Sequence, residues 1–151
     1  MTRDECTATL LEARSRAGLT YQEIADKLGR HVVWTAAALM GQATLDAGEA
    51  ATVVDLLGLS GDERAGAEAA LQRPPTKGAL GTSVPVDPLM YRFHEITQVY
   101  GPAIKAVIHE KFGDGIMSAI DFEMDIERVP DPKGDRVKVT YNGKFLPYRK
   151  W

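Results

Sequence analysis

DFEMDIERVPDPKGDRVKVTYNG, residues 121–143, sets Phe122, Met124 and Ile126 against Asp121, Glu123, Asp125 and Glu127 in strict alternation. A period of two marks a half-buried β-strand. RVKVTY, residues 136–141, alternates likewise and carries Arg136 and Lys138 on its polar side. An acidic strand and a basic strand of equal period predict cross-strand charge pairs. Asn142-Gly143 then predicts a tight turn.

Upstream of these strands the period changes to that of a helix. Asp87-Pro88 supplies an N-cap followed by proline at the first helical position. Leu89, Phe93, Ile96 and Tyr100 follow as an apolar stripe at helical spacing. Gly101-Pro102 is expected to end that helix and start another, in which Ile104, Val107, Ile108 and Phe112 face inward. GDG, residues 113–115, stops it. Two helices and two or three short strands make a unit too small to bury a sufficient core alone. This half is therefore expected to complete its core with copies of itself.

QRPPTKGALGTSVPVDP, residues 72–88, is too rich in proline and glycine for helix and reads as a connector. Its apolar residues, Ala79, Leu80, Val84 and Val86, predict that it lies along a surface. Before it, five helices are expected. Cys6, Leu10, Ala13 and Ala17 fall at helical spacing, with Gly18 as a stop. TYQEIADKLG opens on a capping box, Thr20 to Glu23, and ends on Gly29. Further helices are predicted at His31 to Met40, Asp46 to Leu57 and Asp62 to Gln72. The domains expected are residues 1–73, a linker over 74–86, and residues 87–151.

GLTYQEIADKLGRHVVWTAAALMG, residues 18–41, resembles the helix-turn-helix of repressor-type DNA-binding domains, with Ala25 and Gly29 at its small positions. A recognition helix needs Arg, Lys, Asn or Gln at base edges over a basic surface. HVVWTAAA offers only Arg30 and His31 at its start. Residues 1–73 hold 7 Lys and Arg against 11 Asp and Glu, while the remainder is nearly balanced at 11 against 10. Neither half has a nucleic-acid binder's basic excess.

The whole chain, 151 residues with 44% hydrophobic and 26% charged, has a soluble globular balance. No apolar run approaches the length of a membrane span, and the N-terminus lacks a secretory h-region. The lone Cys6 excludes an intramolecular disulfide and fits a reducing cytoplasm. His31, His94 and His109 stand far apart without partners at ligand spacing, so no metal site is expected. GDG follows a helix, where a phosphate loop would follow a strand, and no G-x-S-x-G elbow occurs. No cofactor is expected.

That leaves Arg92, Glu95 and Ser118. MYRFHEITQVYG, residues 90–101, puts Arg92 and Glu95 three apart on one helix face. Spacing alone allows an ordinary surface ion pair or part of an anion site. Ser118, between Met117 and Ala119, reads equally as a capping hydroxyl.

The runs MYRF-E--QVYG, KA-IHEKFGDGI-SAI-F and the closing GKFLP resemble those of the cyanases, or cyanate hydratases. EIADKLG and ALMGQATL resemble that family's helical domain, so the likeness covers essentially the whole chain. His94, where aromatic residues are common, and the tail YRKW depart from the pattern. The resemblance implies a two-domain fold: an all-α, helix-turn-helix-like bundle and a small α+β domain that interlocks into a dimer. It places the catalytic arginine, glutamate and serine on Arg92, Glu95 and Ser118, and pocket-lining apolar residues on Ile116, Ala119 and Leu146. It implies bicarbonate-dependent decomposition of cyanate to carbamate and carbon dioxide, the carbamate giving ammonia and more carbon dioxide. It also implies a homodecamer, a ring of dimers with active sites where subunits meet.

Physics fits those roles. Both substrates are anions, and a guanidinium is a planar donor charged at any working pH. Ser118 can donate to an oxyanion or nitrogen. Glu95 would hold Arg92 and offset positive charge, with a proton-handling role left open. Two alternatives stand beside this reading: a helix-turn-helix regulator with a dimerising C-terminal domain, and a cyanase-like scaffold without turnover.

Overall fold

The computed structural model describes residues 1–76 and 83–151. The chain divides into two compact units, Met1–Ala79 and Leu80–Trp151.

The first unit holds α1 (Arg3–Ala17), α2 (Tyr21–Leu28), α3 (Val32–Leu39), α4 (Ala47–Leu56) and α5 (Gly61–Leu71). The five helices fall where the sequence places them, and three of them open on side-chain capping boxes. At Thr20 the hydroxyl accepts from the Glu23 amide, and the Glu23 carboxylate accepts from the Thr20 amide at 2.8 Å. Thr2 with Glu5 and Asp46 with Glu49 form equivalent boxes. Each satisfies two backbone donors that a helix start leaves open. Gly18 and Gly29 end α1 and α2 in the left-handed conformation that glycine adopts without a steric penalty.

Their apolar faces meet in one core containing Cys6, Leu10, Ile24, Leu39, Val53 and Leu71. Burial pushes the Cys6 thiol up, and its Sγ lies 3.8 Å from the Ala67 carbonyl oxygen. It behaves as a small core residue. Ala17, the last member of the expected stripe, is exposed. Arg3 ties α1 to the ends of α3 and α5, donating to the carbonyls of Gly41, Ala43 and Ala70.

α2 and α3 pack on one another with Ala25 fully buried. The residues α3 leaves half-buried are Val32, Val33, Trp34, Ala36 and Ala37. Arg30, the cation at its start, is held by Glu49 at 2.6 Å and lies over the Trp34 ring. An apolar face with its cation engaged does not favour base reading.

Of the connector, Ala79 and Leu80 lie outside the described residues. Val84 and Val86 are exposed in the single chain.

The second unit consists of α6 (Pro88–Phe112) and two antiparallel strands, β1 (Gly115–Val129) and β2 (Arg136–Pro147). The Asp87 carboxylate accepts from the amides of Leu89 and Met90, both at 2.9 Å, as the sequence predicts for an N-cap. The expected break at Gly101-Pro102 does not occur: α6 is one helix of 25 residues with Pro102 inside it. The proline forfeits one backbone hydrogen bond. The apolar stripe nevertheless keeps its phase across it, from Leu89, Phe93, Ile96 and Tyr100 to Ile104 and Val107.

The strands are also longer than expected, and IMSAI is part of β1. Cross-strand charge pairing is realised where Lys138 meets its register partner Glu127 at 2.7 Å. Arg136 turns instead to Asp131 in the connection, at 3.0 Å.

The predicted turn at Asn142-Gly143 is a second correction, for both residues lie within β2. The chain reverses at PDPKGD, residues 130–135, where the Gly134 amide donates to the Asp131 carbonyl at 3.0 Å. Gly143 serves a different purpose. A Cβ there would overlap the Ser118 carbonyl oxygen and lie 2.6 Å from Met117 Cγ.

This unit has almost no core of its own. Among the described residues its only buried members are Gly115 and Ser118. On α6, Leu89, Phe93, Ile96, Tyr100, Ile104 and Val107 remain 39–67% exposed. At ~1.5–3 kcal/mol for full burial of each such side chain, roughly 5–9 kcal/mol of hydrophobic stabilisation is unclaimed.

Candidate active site

Arg92 and Glu95 lie one turn apart near the start of α6. Arg92 Nη1 meets Glu95 Oε2 at 2.8 Å, with side chains 58% and 44% exposed. Arg92 Nε also donates to the Pro88 carbonyl at 3.3 Å, and the guanidinium lies 5.3 Å from the Tyr91 ring centre. These contacts orient one edge of the guanidinium and leave its charge facing outward. His94, between the two, has a buried Nε2 with no hydrogen-bond partner, and its ring tilts against Tyr91 at 5.8 Å.

Ser118 sits elsewhere, at an irregularity of β1. Met117 stands opposite Phe145 and Phe122 opposite Gly143, so residues 118–121 face Lys144 alone. The extra residues fold around the Ser118 hydroxyl. Its Oγ accepts from the amides of Ile120 and Asp121, both at 3.0 Å. A serine hydroxyl has two acceptor sites and one hydrogen. With both acceptor sites filled, this hydroxyl can engage a further group only as a donor.

The apolar residues that the resemblance implies for a pocket lie on the same two strands. Ile116 and Leu146 are register partners, 48% and 40% exposed. Ala119 follows Ser118 and is exposed.

The single chain joins Arg92 to Glu95 and Ile116 to Leu146, whereas the Ser118 hydroxyl accepts from amides of its own strand. α6 meets the sheet at its far end, where His109 Nε2 lies 3.3 Å from the Gly115 carbonyl oxygen and Phe112 stacks on Phe145 at 5.2 Å. Arg92 lies seventeen residues before His109, about 25 Å along the helix axis. With no buried residue on α6, the helix does not lie along the sheet.

Sequence reasoning missed Gly143, whose contact is with the serine strand. The one signal for it is a glycine inside an alternating strand pattern, and Asn-Gly there reads equally as a turn. Among the described residues, no three His, Cys, Asp or Glu side chains gather as a metal site would require. No helix there is long and apolar enough to cross a membrane.

Two family models match, together covering most of the chain: Cyanate hydratase, N-terminal, over residues 3–72, and Cyanate lyase C-terminal domain, over residues 82–150. A cyanate hydratase of Thiobacillus denitrificans is 54% identical over 151 residues, the whole of both chains. One from Synechocystis sp. is 57% identical over 145 residues, covering 96% of this chain and 94% of its own. A crystal structure of cyanase from T. urticae superposes with a TM-score of 0.81 at 39% identity, covering 94% of this chain and 96% of that one. With both halves matched and the fold shared, the chain belongs to the cyanate hydratase (cyanase) family.

Proposed function

We propose that this protein is a cytoplasmic lyase that decomposes cyanate with bicarbonate as co-substrate, at sites built from Arg92, Glu95 and Ser118. The observation that carries the activity is end-to-end similarity to named cyanate hydratases. In the reaction, a bicarbonate oxygen bonds to the cyanate carbon. The bond from that oxygen to the bicarbonate carbon breaks and carbon dioxide leaves. The cyanate nitrogen gains the bicarbonate proton and one from solution, leaving carbamate. Carbamate takes up a further proton and falls apart to ammonia and a second carbon dioxide.

Two anions must meet and form a doubly negative intermediate, so the protein's task is to place them and offset their charge. Fixing two reactants can remove roughly 7–11 kcal/mol of barrier, and fixed donors aimed at developing charge add to that. Arg92 supplies the cation. Glu95 holds it at 2.8 Å and keeps the local charge from becoming excessive. Ser118, with its acceptor sites occupied by two amides, presents its hydrogen to an oxyanion or to the cyanate nitrogen.

The parts come together between copies. The exposed stripe of α6 and the separation of Arg92 from the sheet both support sites shared by subunits, in a decameric ring of interlocked dimers. Ile116, Ala119 and Leu146 then line the pocket and exclude water. Mixing inactive Arg92→Leu and Ser118→Ala subunits tests this. Recovery of cyanate-dependent ammonia release in the hybrids is expected, and its absence in proven mixed assemblies refutes the shared site.

A further inference from the structure

Gly143 owes nothing to backbone conformation, for its φ lies outside the positive range that favours glycine. What an added methyl meets is therefore decisive. Of its two closest contacts, Met117 Cγ belongs to a flexible side chain that can move aside. The other is the Ser118 carbonyl oxygen, a backbone atom that cannot move without carrying its residue along. That residue is the one whose hydroxyl organises the extra loop of β1 through the amides of Ile120 and Asp121. Short local bonds from a serine side chain to amides two and three residues ahead compete with ladder pairing and hold such irregularities.

We propose that Gly143 is a positioning residue for the Ser118 hydroxyl: its missing side chain lets β2 press against the Ser118 backbone and fixes where the O–H points. The inference rests on Ser118 acting on substrate, and it assigns to the first residue of GKFLP a role in catalysis through that serine. Displacement by about 1 Å at a site that works by placement can lower turnover about a hundredfold.

The test compares Gly143→Ala, Ser118→Ala and the double variant for kcat and KM towards cyanate and bicarbonate, with assembly checked by sedimentation. Gly143→Ala is expected to assemble and to lose kcat about a hundredfold. In the Ser118→Ala background the same change should leave the residual kcat unaltered. Near-normal kcat in Gly143→Ala, or an equal further loss in the Ser118→Ala background, overturns the proposal. Should Gly143→Ala not assemble, Gly143→Ala with Met117→Ala leaves only the overlap with the Ser118 carbonyl, and the same pattern is expected. Amide exchange needs no change at Gly143: Ile120 and Asp121 should exchange at least tenfold faster in Ser118→Ala than in the unaltered protein. Equal exchange removes the geometry on which the proposal stands. Full turnover in Ser118→Ala would instead remove the site reading itself.

Discussion

Arg92 and Glu95 form a 2.8 Å ion pair on a helix that has no buried residue. Exposed pairs of this kind contribute about 0–1 kcal/mol, so stability does not explain an arginine and a glutamate at this spacing. Arg92→Leu is expected to leave the thermal midpoint nearly unchanged and to lower cyanate turnover by about 10²–10³ or more, the range for loss of a key electrostatic donor. Ammonia assays beside a melting curve check both halves of that statement. Near-normal turnover would remove Arg92 from the site.

Ser118→Ala behaves differently, because the hydroxyl is buried and satisfies two amides. Each such hydrogen bond contributes about 0.5–1.5 kcal/mol net. The variant is expected to melt at a lower temperature, to keep its assembly, and to lose turnover. A variant with unchanged stability would show that water or neighbours take over both amides.

The apolar stripe on α6 predicts that the second unit does not exist as a free monomer. Ile104→Asp places a charge in its middle, beside Tyr100 and Val107. Sedimentation should show dissociation and ammonia assays loss of turnover, while the helical first unit keeps its circular dichroism. A stable, folded monomer of the unaltered protein at micromolar concentration contradicts this account.

Acid should loosen the first unit through the capping boxes at Thr2 and Thr20. Hydrogen bonds from Thr2 hold the Glu5 carboxyl below its ordinary value of 4.5, and those from Thr20 do the same for Glu23. A lowered folded-state pKa means that the unfolded chain binds the proton first. The stabilisation is therefore complete above about pH 4.5 and disappears as pH falls through the lowered values. Glu5→Gln with Glu23→Gln should flatten the acid limb of a stability profile. An unchanged profile would show that other carboxylates govern acid unfolding.

The sequence displays the first unit well because its helix ends are chemical: Thr20 with Glu23, Asp46, Gly18 and Gly29 each announce a boundary. It misleads where one residue type serves two purposes. Pro102 is a breaker by local rule, yet the stripe through Tyr100 and Ile104 holds its phase and the helix continues. Asn142-Gly143 has the composition of a turn, but Gly143 is small because the Ser118 backbone needs the space. That Arg92 and Glu95 pair on one helix face follows from spacing, while their place in a site rests on the resemblance. Ser118 does not follow from spacing, since a four-residue irregularity wrapped around a hydroxyl leaves no periodic trace. Its assignment came through resemblance.

The central claim is that bicarbonate is a reactant and that the protein works by placing two anions together. Ammonia release from cyanate, followed in buffer freed of carbon dioxide and then with bicarbonate restored, tests it most directly. Turnover should cease in the stripped buffer and return in proportion to added bicarbonate until the site saturates. With ¹³C-bicarbonate, the label should leave in the carbon dioxide formed with carbamate, and not in the carbamate itself. Full-rate ammonia release without bicarbonate would contradict the account.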